Sequence, residues 1–219
     1  MKFTFTGTGT SQGIPVIGCG CAVCTSSDPR DNRLRTSGLL EKWDTAIVFD
    51  TGPDFRQQML RTGIRYLDAV VFTHQHKDHT AGLDDTRPFI FRQRKDMQVY
   101  ATEAVIEHLK KEYYYIFENG DYPGVPKLAM NQITEAPFQI GDIDLLPLPA
   151  LHGSLPVMGY RSENFAYLTD VNHIPEATME LMHGLDVLVL DALHRQKHYS
   201  HFTIYEAIAA AEKIGAKQT

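Results

Sequence analysis

Short apolar runs constrain this chain more than any other feature. "TAIVFD" at 45–50, "DAVVF" at 68–72 and "DVLVLDA" at 186–192 are strand-length, far below the roughly 20 residues that a membrane span needs. Further β-branched or aromatic runs fall near 2–6, 36–41, 97–101, 126–133, 142–148, 157–162 and 164–169, between Gly, Pro, Asn and Asp, as strands do. Helical patterns lie between some of them: "DFRQQMLRTG" at 54–63, "EAVIEHLKKEYYYIF" at 103–117, "PEATMELMHG" at 175–184 and "FTIYEAIAAAEKIG" at 202–215. Strands in succession that later alternate with helices predict an α/β fold of two mixed sheets packed face to face, with helices outside. At 219 residues and 43% hydrophobic the chain can bury a full core, and it reads as one domain over 1–219.

Charge and termini exclude some partners. A net charge of -6 gives no electrostatic footprint for a bare phosphate backbone, and no local basic run replaces it, so nucleic acid is not expected. "MKFTFTGTG" begins in alternation and lacks the apolar core and small-residue cleavage site of a secretory signal. A cytoplasmic protein with no membrane partner is expected.

"THQHKDH", Thr73 to His79, places three of ten histidines and an aspartate within seven residues, directly after the apolar run 68–72. Loops at strand ends are where a rigid scaffold presents functional groups. His74 and His76, one residue apart in an extended segment, point the same way and can share a metal. Asp78 and His79 follow at the turn, where a carboxylate oxygen and an imidazole nitrogen can hold a second ion. Two such ions can activate a water and clamp the oxygens of a displacement. The three cysteines, Cys19, Cys21 and Cys24, fall in "GCGCAVC". An odd trio so close together cannot make a multi-bridge disulfide framework, and metal ligation is the better reading.

"THQHKDH" resembles the T-H-x-H-x-D-H motif of the metallo-β-lactamase-fold hydrolases. Other pieces follow in the family's order: "IVFDTG" at 47–52, His152 in "PALHGS" and Asp170 in "AYLTD". The resemblance implies a four-layer αββα sandwich. It also implies one metal site from His74, His76, His152 and Asp170, and a second from Asp78, His79, the shared Asp170 and a later histidine. Asp50 would accept a hydrogen bond from a ligand histidine and fix its tautomer. "GTGTSQGIPVIGCGCAVC" at 7–24 is similar to the opening of a phosphodiesterase branch, typified by the phosphoribosyl cyclic phosphodiesterase of the carbon-phosphorus lyase pathway. There Cys19, Cys21 and Cys24 would supply three ligands of a structural zinc. In "DALHRQKHYSHFTIYEAI" at 191–208, His201 holds the position of a histidine that faces the substrate phosphate. Placed just before a helix, it could protonate a leaving alkoxide or bind phosphate. His194 and His198 compete with it for that role.

The function implied is hydrolysis of a small phosphodiester of a sugar or nucleotide, cyclic forms included, by water activated at two divalent ions, Zn or Mn. Asp78 or Asp170 would orient the water and His201 would assist the leaving group. The alternatives are a metal-binding or regulatory protein with little turnover, and a hydrolase of the same fold acting on another ester class. Self-association as a homodimer is left open. In the family the last helix precedes a strand ending in a T-H-x-x-H segment, whose histidines complete the second site and the zinc site. Here the sequence runs only to "AAAEKIGAKQT", so it reads as lacking its last strand, with Lys217 to Thr219 as that strand's first residues.

Overall fold

The computed structural model describes residues 1–118 and 124–219, which divide into two compact units, Met1–Gln132 and Ile133–Thr219. The first is built on a six-stranded sheet of β1 (Lys2–Gly7), β2 (Ser37–Lys42), β3 (Thr45–Phe49), β4 (Ala69–Val71), β5 (Met97–Ala101) and β6 (Leu128–Gln132), in that spatial order. β1, β2 and β3 pair antiparallel, and β3 through β6 pair parallel. Trp43, at φ 50 between β2 and β3, supplies the positive φ that a tight hairpin turn requires. Every residue of β3 and β4 is buried, which is why these runs are continuously apolar rather than alternating.

Helices α1 (Phe55–Thr62), α2 (Lys77–Thr80), α3 (Arg87–Gln93), α4 (Glu103–Glu112) and α5 (Tyr114–Glu118) make the crossovers. The core joins Leu39, Val48, Val70 and Val99 of the sheet to Phe55 and Met59 of α1 and Val105 and Leu109 of α4. Sequence patterning misses α2 and α3, because "HTAGLDD" reads as loop and α3 is only one stretch of "RPFIFRQ". The single helix expected over 103–117 is two, interrupted at Tyr113 with φ -104. Burial raises the Tyr113 hydroxyl well above its usual range, so it stays a donor, and it bonds Thr80 C=O at 2.7 Å.

The second unit holds a five-stranded sheet of β7 (Phe138–Ile140), β8 (Ile143–His152), β9 (Leu155–Ser162), β10 (Phe165–Leu168) and β11 (Val187–Leu190), ordered β11-β10-β9-β8-β7. All pairings are antiparallel except β10 with β11. Between those two runs α6 (Glu176–Glu180), shorter than the 175–184 pattern suggests, and after β11 comes α7 (Ile204–Ile214). α7 starts at a capping box, Thr203 with Glu206, and stops at Gly215, φ 73, as both residue types favour. Its Ala207, Ala210 and Ile214 pack on Leu148, Ala166 and Leu188.

β8 runs four residues beyond the 142–148 expected from sequence. Its pairing with β7 ends at Leu145, so Pro147 and Pro149 lie where only β9 needs hydrogen bonds, and a missing N–H is tolerated on an edge. β7 itself, at three residues, is too short to show a period. After α7, Gln218 makes a parallel bridge with Val187 of β11. Among the described residues no helix is long and apolar enough to cross a membrane.

Candidate metal centre

The parallel pair β3–β4 places two loops side by side at the carboxyl ends of its strands, the usual location of sites in such sheets. One loop is Asp50–Asp54 and the other Thr73–Gly82. They touch through backbone: Thr51 N–H donates to His79 C=O and Gly82 N–H to Thr51 C=O, both at 2.7 Å. A Cβ on Gly52 would stand 2.1 Å from the Asp78 carbonyl oxygen, so the approach requires glycine.

Asp50 organises this half of the site. Fully buried and held at φ 61, its carboxylate accepts from Thr73 N–H at 2.8 Å, from the Thr73 hydroxyl at 2.8 Å and from His79 Nδ1 at 2.8 Å. These contacts settle the tautomers. His79 carries its proton on Nδ1, leaving the Nε2 lone pair for a ligand. The Thr73 hydroxyl proton is committed to Asp50, so in the 2.9 Å contact between Thr73 Oγ1 and His74 Nδ1 the imidazole must donate. His74 therefore also presents Nε2 as an acceptor.

That His74 nitrogen lies 3.1 Å from Nδ1 of His76. Two nitrogens sharing one tetrahedral zinc at about 2.05 Å stand about 3.3 Å apart, so the pair suits a common ion. The three rings crowd together, His74 being 4.6 Å from His76 and 4.1 Å from His79 between centroids. Asp78 adds a carboxylate, with Oδ2 3.6 Å from His79 Nε2. Closely packed imidazoles beside a carboxylate form a donor set chemically suited to a divalent cation.

The second unit builds its own set. His152 ends β8, and its Nδ1 donates to Ser200 C=O at 2.7 Å, which again reserves Nε2 as the lone-pair nitrogen. Asp170 follows β10 at φ 54. Asp50 and Asp170 are thus both held in the left-handed region, a strain found at functional sites more than elsewhere. Because β10 and β11 are parallel neighbours, Asp170 and Asp191 emerge together, and His201 joins them from the segment before α7. Asp170, Asp191 and His201 offer ligand atoms within 4.8 Å of one another. His201 Nδ1 lies 2.9 Å from Asp191 Oδ2 and 3.7 Å from Asp170 Oδ1, and its ring is 4.6 Å from that of His152. Asp191 escapes sequence reasoning: it reads as the polar end of a strand, and only the β10–β11 pairing reveals its neighbours.

The sulfurs of Cys19, Cys21 and Cys24 also lie within 4.8 Å of one another. Cys24 Sγ accepts from Val16 N–H at 3.3 Å. Hydrogen bonds to the Cys21 sulfur, first from the Cys24 backbone and then from the Cys19 and Cys24 side chains, lower its pKa to about 7. A thiolate at neutral pH is the form that ligates a metal. His108 sits on α4 against Glu112 at 3.2 Å, while His173 and His183 are exposed.

Comparison with known proteins agrees with this geometry. Residues 45–219 match the family model described as the beta-lactamase superfamily domain. A solved diphosphatase of the PhnP family is 42% identical, with a TM-score of 0.91 over 98% of this chain and 82% of its own. Human tRNase Z, short form, shares the fold at 18% identity and a TM-score of 0.74, over 100% of this chain and 92% of its own. An octanoyltransferase of Porphyromonas gingivalis is 39% identical over 98% of this chain, but the match makes up only 44% of that relative. The chain spans about half the length of the curated relatives it matches. With the histidine motif after β4, the two mixed sheets and a family match over most of its length, the chain belongs to the beta-lactamase superfamily and has the metallo-β-lactamase fold.

Proposed function

We propose that this chain is a metal-dependent phosphodiesterase acting on a small phosphodiester of a sugar or nucleotide, cyclic forms included. The observation that carries the reading is His201, an imidazole held through Nδ1 by Asp191 at 2.9 Å and in ring contact with His152. That arrangement supplies a proton where an alkoxide would depart. The likeness to a PhnP-family diphosphatase supports phosphorus over carbon as the centre attacked.

Two divalent ions, zinc or manganese, would be held by His74, His76, His152 and Asp170, and by Asp78, His79 and the shared Asp170. When bound they make a water acidic near neutral pH and polarise the phosphoryl oxygens. The protein's own part is orientation. Asp50, Thr73 and the Ser200 carbonyl keep Nε2 of His79, His74 and His152 unprotonated, Asp78 or Asp170 orients the attacking water, and His201 delivers the proton to the leaving oxygen.

Cys19, Cys21 and Cys24 would hold a third, structural zinc that ties down the exposed loop carrying them. Cys21→Ser is therefore expected to release one zinc and lower Tm by several degrees, while the other ions stay bound. Full zinc retention, measured by elemental analysis, would remove the structural site.

The function is tested by presenting the metal-loaded protein with bis(p-nitrophenyl) phosphate, a chromogenic β-lactam and an octanoyl thioester. Turnover is expected on the phosphodiester, lost on dialysis against a chelator and restored by zinc or manganese. Cleavage of the thioester without the phosphodiester would overturn the reading in favour of acyl chemistry.

A further inference from the structure

The interruption between α4 and α5 turns two tyrosines onto one target. Successive residues of an α-helix are about 100° apart, so Tyr113 and Tyr115 would face nearly opposite sides of an unbroken one. With the chain bent at Tyr113, φ -104 and ψ 36, both hydroxyls instead reach the segment Thr80–Asp84. Tyr113 donates to the Thr80 carbonyl at 2.7 Å and Tyr115 to Asp84 Oδ1 at 2.5 Å. Asp84 also pairs with Arg87, and Glu112, the residue before the bend, pairs with Lys77. Glu112, Tyr113 and Tyr115 thus grip the stretch 77–84, whose backbone is already tied to the Asp50–Asp54 loop.

What this grip controls is α2. A single helical turn has no stability of its own, so Lys77–Thr80 takes its place from the contacts around it. His79 is fixed through its ring as well, by Asp50 at 2.8 Å. Asp78 is not. Among the described residues its side chain makes no hydrogen bond, and its charged neighbour is His79 Nε2 at 3.6 Å. The Asp78 carboxylate therefore stands where the backbone of α2 puts it. Tyr113 acts on that backbone two residues away, at the fully buried Thr80.

We propose that Tyr113 is a positioning residue for the ion that Asp78 and His79 would hold, its hydroxyl setting the reach of the Asp78 carboxylate through Thr80. The proposal rests on the metal centre of the phosphodiesterase reading, and it is measured by metal binding without turnover.

Manganese is the probe, because imidazole and carboxylate hold it whereas thiolates favour zinc. Binding is followed through the paramagnetic resonance of the free ion in the wild type, Tyr113→Phe, Asp78→Asn and the double variant. Phenylalanine keeps the ring in the core and removes only the hydroxyl, a loss that should lower Tm by several degrees and leave the protein folded for titration. Tyr113→Phe should weaken the binding step that Asp78→Asn weakens, by about tenfold, and leave any other step within about twofold. Because Tyr113 acts through Asp78, the double variant should bind manganese no more weakly than Asp78→Asn alone, whereas independent losses would multiply. Unchanged affinity in Tyr113→Phe, an equal loss at every step, or multiplied losses in the double variant would overturn the proposal, as would a wild type that binds no manganese. A wild type that binds manganese but cleaves no phosphodiester would instead remove the phosphodiesterase reading, with the affinities of the four proteins still deciding the role of Tyr113.

Discussion

Replacing Asp50 with alanine is expected to destabilise the protein by at least about 4 kcal/mol and to weaken metal binding at the site proposed on the first unit. The carboxylate accepts three hydrogen bonds in a fully buried position, and each orphaned donor costs about 1–3 kcal/mol. Alanine at φ 61 adds about 1–2 kcal/mol, because only glycine and the short polar residues enter the left-handed region readily. Asp50→Asn separates the two effects. Asparagine keeps the backbone preference and one accepting oxygen, but its NH₂ must replace the other oxygen. With that NH₂ facing His79, the imidazole must accept at Nδ1 and carry its proton on Nε2, which is then no longer a ligand atom. With it facing the Thr73 amide instead, two donors collide. Unfolding should therefore show a smaller loss for Asp50→Asn than for Asp50→Ala, while metal affinity still falls about 10–100-fold in the asparagine variant. Wild-type metal content in Asp50→Asn would show that the tautomer of His79 does not matter to the site.

What the sequence discloses here divides along the distance over which information must travel. His74, His76, Asp78 and His79 are legible because a strand followed by one turn of helix, α2, brings a seven-residue stretch to one place without help from elsewhere. Asp50 is legible in part: the family resemblance of "IVFDTG" implies contact with a ligand histidine, but that the partner is His79, with Thr73 completing the chain to His74, depends on β3 and β4 being parallel neighbours. Asp191 carries no local mark at all. It becomes a partner of His201 only through the β10–β11 pairing and the return of the chain ahead of α7. The misjudged elements have the same origin. The three-residue β7 shows no period, and β8 continues through two prolines because, among the described residues, its pairing with β7 ends at Leu145 and no other strand takes that side. Tyr113 interrupts a helical pattern while its hydroxyl reaches Thr80, a tertiary contact that outweighs local propensity.

His201→Ala is expected to lower kcat by about 10² to 10⁴-fold on substrates with alkoxide leaving groups, and far less on nitrophenolate esters. A nitrophenolate departs without a proton, whereas an alkoxide is too basic to leave unprotonated, so the difference between the two substrates measures proton donation and little else. Asp191 provides a second reading of the same step. Its carboxylate holds His201 through Nδ1 at 2.9 Å and stabilises the protonated ring, so Asp191→Asn should lose activity in the same leaving-group-dependent pattern, to a smaller extent than His201→Ala. Metal content decides what kind of residue His201 is. Asp170, Asp191 and His201 lie close enough to serve as ligands themselves, and a proton donor and a ligand respond differently to removal. If His201 donates a proton, the alanine variant keeps its full complement of ions. Were the variant instead to lose an ion and turn over both substrate classes equally poorly, the three residues would be a metal site, and the proton for the leaving oxygen would have to come from water.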